Sequence, residues 1–240
     1  MPGKKDEYRS ELQSRSDWDA YLKSHSGLPG PRANLELVEV AGDLAPAETL
    51  WRWSASSDEF LALCGTAGLG RFAIEDRKVL PRLQELAADP RWRVREGVAI
   101  ALQRMGKQNM ARLIKEMESW AVSTWYVQRA AAAGLCEPPL LNDPKQVKRV
   151  LAILDQITRS VAAAKDRKSE EFRVLRTALG YCWSIAVAAS PTDGMAALEP
   201  WLGSRDPDIR WIMKSNLLKS RVLSALGKRW VADALTAVSP

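Results

Sequence analysis

The sequence predicts an all-α protein in which antiparallel helix pairs stack into an α-α superhelix. Apolar residues recur at three- and four-residue spacing along most of the chain, which is typical of amphipathic helices. No segment shows the sustained apolar–polar alternation with β-branched residues that indicates strands. A helix–turn–helix pattern also recurs. Because such a hairpin has two apolar faces and cannot bury both alone, repeated hairpins favour stacking.

The clearest hairpin is Pro81–Met105. Its first helix has an apolar stripe at Leu80, Leu83, Leu86 and Ala87. The second has one at Val94, Val98, Ala101, Leu102 and Met105. Asp89 is expected to cap the second helix, with Pro90 in its first turn. Gly106 is expected to end it.

The same periodicity predicts further helices on both sides of this hairpin. Before it they cover about 35–46, 47–55 and 57–74; after it, about 108–119, 123–136, 143–164, 169–189, 193–203, 207–223 and 228–237. The segment 179–189 is apolar nearly all round and is expected to be buried. We predict an N-terminal extension at 1–32, partly ordered, and one helical-repeat domain at 33–240.

Three glycines, Gly65, Gly68 and Gly70, lie inside the predicted helix 57–74. Each glycine weakens a helix by up to ~1 kcal/mol relative to alanine, so their presence needs a reason. Close helix–helix contact is one. A phosphate-binding loop is the other, but the segment lacks the preceding strand and the following Lys-Ser/Thr of that motif.

The composition argues against several classes of protein and of functional site. The chain has 240 residues, and no apolar run approaches the roughly 20 residues that span a membrane. The N-terminus has no apolar core of a signal peptide, so a cytoplasmic location is predicted. Cys64, Cys136 and Cys182 form no CxxC pair and are expected to be buried free thiols. With His25 as the single histidine, we predict no metal site and no cofactor.

Charge is unevenly distributed around the net value of +6. Residues 33–76 carry two basic and eight acidic side chains. Basic side chains dominate three later blocks: nine against three in 77–112, nine against four in 145–176, and seven against three in 201–240. Such asymmetry favours an anionic partner, nucleic acid among the candidates. Solvated helix faces are the alternative explanation.

Two sets of residues share one spacing, with an acidic residue eight positions after a proline and a basic residue six positions later. They are Pro81, Asp89 and Arg95, and Pro200, Asp208 and Lys214. A third, looser copy at 120–135 aligns Trp125 with Trp92 at an offset of 33 residues. This offset is about the length of one helical hairpin, which indicates an internal repeat.

On these residues the chain resembles HEAT-repeat proteins. The family pattern has a proline in the first helix, an aspartate in the turn and Val-Arg in the second helix, as at Pro81, Asp89, Val94 and Arg95. The second copy has Met213-Lys214 in place of Val-Arg. The resemblance implies that the aspartate and the basic residue form a charge ladder between neighbouring repeats. Asp89 and Arg95 are therefore interpreted as structural, as are Asp208 and Lys214.

A narrower resemblance links Trp120, Trp125 and Arg129 to the HEAT-like alkylpurine DNA glycosylases. The resemblance implies that indole rings contact a cationic damaged base and that a carboxylate lies at the sugar. It also implies that an arginine contacts the DNA backbone. The required carboxylate is not identified, since the nearest acids are Glu116, Glu118 and Glu137 on helix surfaces. No catalytic residue is assigned, and a non-enzymatic role is preferred.

Ten tryptophans are many for this length. Trp51, Trp183 and Trp201 are expected to fill gaps between helices. Trp92 and Trp211 differ because basic residues flank them on second helices, which line the concave face in HEAT-like architecture. Interleaved rings and cations suit base stacking and phosphate contacts. The candidate binding residues are Trp92, Arg93, Trp125, Arg129, Arg210, Trp211 and Lys214.

Two functions remain open from the sequence. The first is a non-enzymatic helical-repeat module that binds another protein or a nucleic acid through a basic concave face, without membrane or metal. The second is a DNA-repair protein resembling the alkylpurine DNA glycosylases.

Overall fold

A computed structural model describes residues 3–238, and among these the regular elements are all helical, without a β-strand. The all-α prediction is confirmed. The first seven helices are Lys4–Gln13 (α1), Trp18–Ser24 (α2), Leu35–Leu44 (α3), Ala47–Ser54 (α4), Glu59–Leu69 (α5), Val79–Ala87 (α6) and Trp92–Gln108 (α7). The others are Met110–Trp120 (α8), Trp125–Leu135 (α9), Pro144–Ala162 (α10), Glu170–Ala189 (α11), Pro191–Leu202 (α12), Pro207–Leu217 (α13), Ser220–Leu226 (α14) and Lys228–Ala237 (α15).

The helices group into two compact units that divide after Met105. In the first unit, α1 and α2 pack on α3 and α5. They contribute Tyr8, Leu12, Tyr21 and Leu22 to the core. Helices from the predicted N-terminal extension are therefore part of the first unit.

Helix α5 packs at the centre of the first unit. Glycines in this helix and just after it let the neighbouring helices come close. An added Cβ at Gly65 would lie 2.3 Å from the backbone nitrogen of Ser54, and one at Gly70 would lie 2.2 Å from the carbonyl oxygen of Ala101. Neighbouring helices thus approach the α5 region at backbone distance, which only glycine permits. The expectation of close helix contact is confirmed, and these buried glycines do not form a phosphate loop.

The second unit has two layers of helices. In the first layer, α10 packs between α8 and α12; in the second, α11 packs between α9 and α13. The apolar stripe of α10 and most of α11 are buried between them. Towards the end of the chain, α14 packs on α11 and α15 on α13. The second layer carries several predicted binding residues, on α9 and α13 at either side of α11.

Several predicted helix boundaries were wrong. The helix predicted over 57–74 ends at Leu69 and is followed by a 3-10 turn at Gly70–Phe72. Helix α7 begins at Trp92, so Arg91 holds the capping position, and neither Asp89 caps the helix nor Pro90 occupies its first turn. It continues past Gly106 to Gln108, because this glycine serves packing: an added Cβ would lie 2.8 Å from Leu140 and 2.9 Å from Leu113. The predicted helix 207–223 is two helices, α13 and α14, with an interruption at 218–219.

The predicted core residues lie as expected in most cases. All three cysteines are free and buried, and burial raises the pKa of the Cys64 thiol. Trp183 is fully buried and its Nε1 donates to Thr158 Oγ1 at 3.0 Å. Trp51 and Trp201 are half-buried. No helix within residues 3–238 is both long and apolar enough to cross a membrane.

Candidate nucleic-acid interface

The turn between α6 and α7 is held by its own charged residues. The Asp89 carboxylate accepts from the Arg91 backbone N–H at 2.8 Å and pairs with its guanidinium at 2.8 Å. Arg91 lowers the pKa of Asp89. Arg95, only 6% exposed, donates to the carbonyl oxygens of Asp89 at 2.8 Å and Pro90 at 3.1 Å. These contacts support the structural interpretation of both residues.

Arg91 also links this turn to the preceding one, which sequence reasoning missed. Its Nη1 donates to the carbonyl oxygens of Ser56, at 2.8 Å, and Ser57, at 3.2 Å, in the turn between α4 and α5. The connection between neighbouring turns therefore involves the residue beside Trp92. Nothing in local periodicity marks which arginine can reach the next hairpin.

The second unit has a comparable connection, again through a residue that was not predicted. Arg167, between α10 and α11, donates to both carboxylate oxygens of Asp206, at 2.8 and 2.6 Å, and to Asp208 at 2.8 Å. Asp206 is the N-cap of α13. Arg167 thereby ties its own turn to the turn before α13 and lowers the pKa of Asp206.

The predicted register of the second repeat copy needs correction. The turn aspartate is Asp206, followed by Pro207 as Asp89 is by Pro90, whereas Asp208 lies inside α13. Pro200 lies near the end of α12, although Pro81 is in the first turn of α6. Lys214 is exposed, so it does not hold a turn as the buried Arg95 does. The matched spacing arose from residues in different structural positions.

In the first unit, Trp92 and Arg93 form one cluster. The Trp92 side chain is 48% exposed, and the Arg93 guanidinium lies 4.6 Å from its ring centroid. Arg93 is paired with Glu59 at 3.2 Å and donates to the Gly30 carbonyl oxygen at 3.0 Å. Arg93 therefore supports the ring, and Trp92 is the more accessible partner of the two.

In the second unit, Trp125 and Arg129 lie one turn apart on α9. The Trp125 ring meets Phe172 of α11 edge-on, with centroids 5.5 Å apart. Arg129 lines a groove of about 400 Å³ together with Glu170 and Arg173 of α11. Trp120, which the narrower resemblance placed beside them, is only 2% exposed and cannot contact a ligand there.

Trp211 is held on the outside of the second layer. The guanidinium of Arg176 lies 3.9 Å from its ring centroid. An added Cβ at Gly180 would lie 2.7 Å from the same ring, so the indole packs directly on α11. Trp211 is nevertheless 38% exposed, and Lys214 follows it on the exposed face of α13. Arg210 is turned towards the chain end, where its Nε donates to the Val238 carbonyl oxygen at 3.1 Å.

Tyr181 adds a further exposed ring that the sequence prediction missed. It belongs to the segment 179–189 that was expected to be buried, yet it is 46% exposed. Arg221 lies 4.8 Å from its ring centroid and donates to its hydroxyl oxygen at 3.0 Å. Lys219 lies 5.6 Å from the same centroid. The four-residue spacing of Arg173, Thr177 and Tyr181 places all three on one face of α11, a signal that the high apolar content obscured.

We call Arg173, Tyr181, Trp211, Lys214 and Arg221 the basic aromatic surface of the second unit. None of its three cations has a carboxylate partner among residues 3–238. The nearby carboxylates of Asp206 and Asp208 are already paired with Arg167 and Arg176. The surface therefore combines exposed rings with positive charge that is not neutralised locally.

Five of the seven predicted binding residues belong to the second unit: Trp125 and Arg129 on α9, and Arg210, Trp211 and Lys214 on α13. Trp92 and Arg93 belong to the first unit. Comparison of the sequence with protein-family models and with curated proteins gives no match. The resemblances to HEAT-repeat proteins and to alkylpurine DNA glycosylases thus stay predictions.

Proposed function

We propose that the protein is a non-enzymatic, HEAT-like helical-repeat module that binds nucleic acid through the basic aromatic surface. The observation that carries this proposal is the coincidence, on α11, α13 and α14, of exposed rings and of cations that have no carboxylate partner among residues 3–238. Phosphate groups recruit such cations, and bases stack on such rings. If these cations belonged only to solvated helix faces, neither the exposed rings nor the arginines that contact them would be expected.

The arginine contacts favour a surface organised for binding over a random distribution of charge. Trp211 is fixed between Arg176 and the backbone at Gly180, and Tyr181 is fixed by Arg221. Rings that are already oriented lose little conformational freedom when a partner binds. An acidic protein segment would also find the charge attractive, but it would make less use of the flat ring faces.

Fluorescence anisotropy with labelled single-stranded and duplex DNA tests the proposal. The three cations of the surface predict binding at low salt whose log affinity falls with log salt concentration at a slope of roughly −2 to −3. Binding that is absent at low salt, or that does not change with salt, would overturn the proposal. In that case a protein partner becomes the better explanation.

One observation favours the DNA-repair alternative as a second candidate. Glu170 lines the groove with Arg129, so a carboxylate does lie near the predicted DNA-backbone arginine. A carboxylate in this position could stabilise an oxocarbenium-like sugar during glycosidic bond cleavage. Incubation with alkylated duplex DNA should then release free alkylpurine, and Glu170→Gln should abolish the release. DNA binding without release would eliminate the enzyme and leave the binding module intact.

A further inference from the structure

The first unit contains a separate groove, distant in sequence from the basic aromatic surface. It has a volume of about 540 Å³ and is built from three parts of the chain. Lys4 comes from α1, the segment 31–36 forms one wall, and Trp92 and Glu96 come from α7. The groove therefore combines an aromatic ring, cations and carboxylates in a space large enough for a small organic ligand.

Trp92 provides a supported stacking surface in this groove. Nearly half of the side chain is exposed, while the Arg93 guanidinium lies over the ring at 4.6 Å. Arg93 is itself fixed by Glu59 of α5 and by the Gly30 carbonyl oxygen. The ring is thus held in place before any ligand arrives. A planar ligand stacked on it would gain contact area at little entropic cost.

The charged groups around Trp92 suit the two ends of a nucleotide. Lys4 and Arg32 have no carboxylate partner within the described part of the chain, and both line the groove. They can bind phosphate oxygens. Glu36 and Glu96 line the same groove and can accept hydrogen bonds from an exocyclic amine, as carboxylates do from cytosine.

We propose that this groove binds a nucleotide with an amino-bearing base. The base stacks on Trp92, its amine donates to Glu36 or Glu96, and its phosphate contacts Lys4 or Arg32. The ligand is either a free nucleotide or one nucleotide of a single strand. The proposal concerns the first unit and does not depend on nucleic-acid binding by the second.

Ligand-observed NMR titration of the full chain with AMP, CMP, UMP and adenosine tests the proposal. We expect AMP and CMP to bind more tightly than UMP, which lacks the exocyclic amine, and AMP to bind more tightly than adenosine, which lacks the phosphate. Trp92→Ala should weaken AMP binding at least about fivefold, the lower limit for loss of one base-stacking contact. Trp92→Phe, which keeps a ring, should retain most of the affinity and guards against loss of folding.

Two matched variants make the assignment specific. Trp201→Ala removes a half-buried tryptophan of the other unit that has Arg159 beside its ring and lies outside both proposed binding surfaces, and it should leave AMP binding unchanged. Arg32→Ala should weaken AMP but leave adenosine unaffected. A short oligoadenylate that binds more tightly than AMP, and loses that gain in Trp92→Ala, would identify a strand as the source; equal or weaker binding would identify the free nucleotide.

Any one of three results would overturn the proposal. These are no saturable binding of AMP or CMP at millimolar concentration, equal binding of UMP, or equal losses in Trp92→Ala and Trp201→Ala. Binding of none of the nucleotides would point to a peptide as the occupant of the groove.

Discussion

The Arg176 guanidinium lies 3.9 Å from the Trp211 ring centroid while its Nε is 2.7 Å from a carboxylate oxygen of Asp208. One side chain of α11 therefore contacts both a ring and a carboxylate of α13. The ion pair neutralises Asp208 and the stacking fixes the indole. Lys214, one turn after this oriented ring on α13, has no carboxylate partner among residues 3–238.

Replacing Arg176 by methionine should destabilise the protein by about 1–2 kcal/mol. The change keeps the length of the side chain but removes a cation–π contact and a half-buried ion pair. Chemical denaturation measures the free energy of unfolding. Arg173→Met on the same helix is the control, since that side chain is exposed and unpaired, and it should cost less than about 0.5 kcal/mol. Equal effects of the two substitutions would show that the Arg176 contacts contribute nothing.

Acid should destabilise the protein through Asp206. Arg167 lowers the folded-state pKa of this carboxyl below its unfolded value of about 3.9. The stabilisation is therefore fully present above that unfolded value and is lost as pH falls through the folded pKa. Asp89 and Asp19, whose pKa values are lowered by Arg91 and Arg52, add to the same trend.

Asp206→Asn should reduce stability at neutral pH and flatten its decline below about pH 4. Urea denaturation at a series of pH values measures both effects. The control is Asp233→Asn, because Asp233 is exposed and has no ion-pair partner among residues 3–238. An Asp206→Asn curve parallel to that of the unmodified protein would contradict the role of the Arg167–Asp206 pair.

Gly65→Ala should be strongly destabilising, by about 2 kcal/mol or more, although alanine is the better helix former. The new Cβ would lie 2.3 Å from the Ser54 nitrogen and 2.6 Å from the Leu50 carbonyl oxygen, so α4 and α5 would have to separate. Gly203→Ala is the control, because nothing lies within 4 Å of its added Cβ. Thermal unfolding of both variants distinguishes the cost of a steric clash between helices from the gain in helix propensity. Unchanged stability of Gly65→Ala would mean that the two helices can separate freely.

Helix positions could be predicted because they depend on local periodicity. The stripe of Val147, Val150, Leu154 and Ile157 is sufficient to predict α10, and the glycines of α5 indicated close packing before any neighbour was known. Helix ends were less predictable, since Gly106 lies where a stop signal is expected but serves contacts with Leu113 and Leu140. A single residue type has several physical uses, and only the tertiary environment selects one.

The candidate site was only partly predictable. Trp92 and Trp211 were identified from their basic neighbours and both proved exposed. Trp120, named from the narrower family resemblance, is buried. Arg91 and Arg167 act on neighbouring turns, and Tyr181 is exposed on an otherwise buried helix. These properties depend on distances between hairpins, which sequence spacing does not contain.

The most direct test of nucleic-acid binding by the second unit is a pair of double charge reversals. Arg173→Glu with Lys214→Glu changes the basic aromatic surface, whereas Lys145→Glu with Lys148→Glu makes the same change in charge on exposed positions of α10 in the first layer. Anisotropy titration with single-stranded DNA at low salt should give a Kd at least about tenfold higher for the first variant and nearly unchanged for the second. Equal weakening in both variants would mean that net charge alone attracts the DNA and would contradict a defined binding surface.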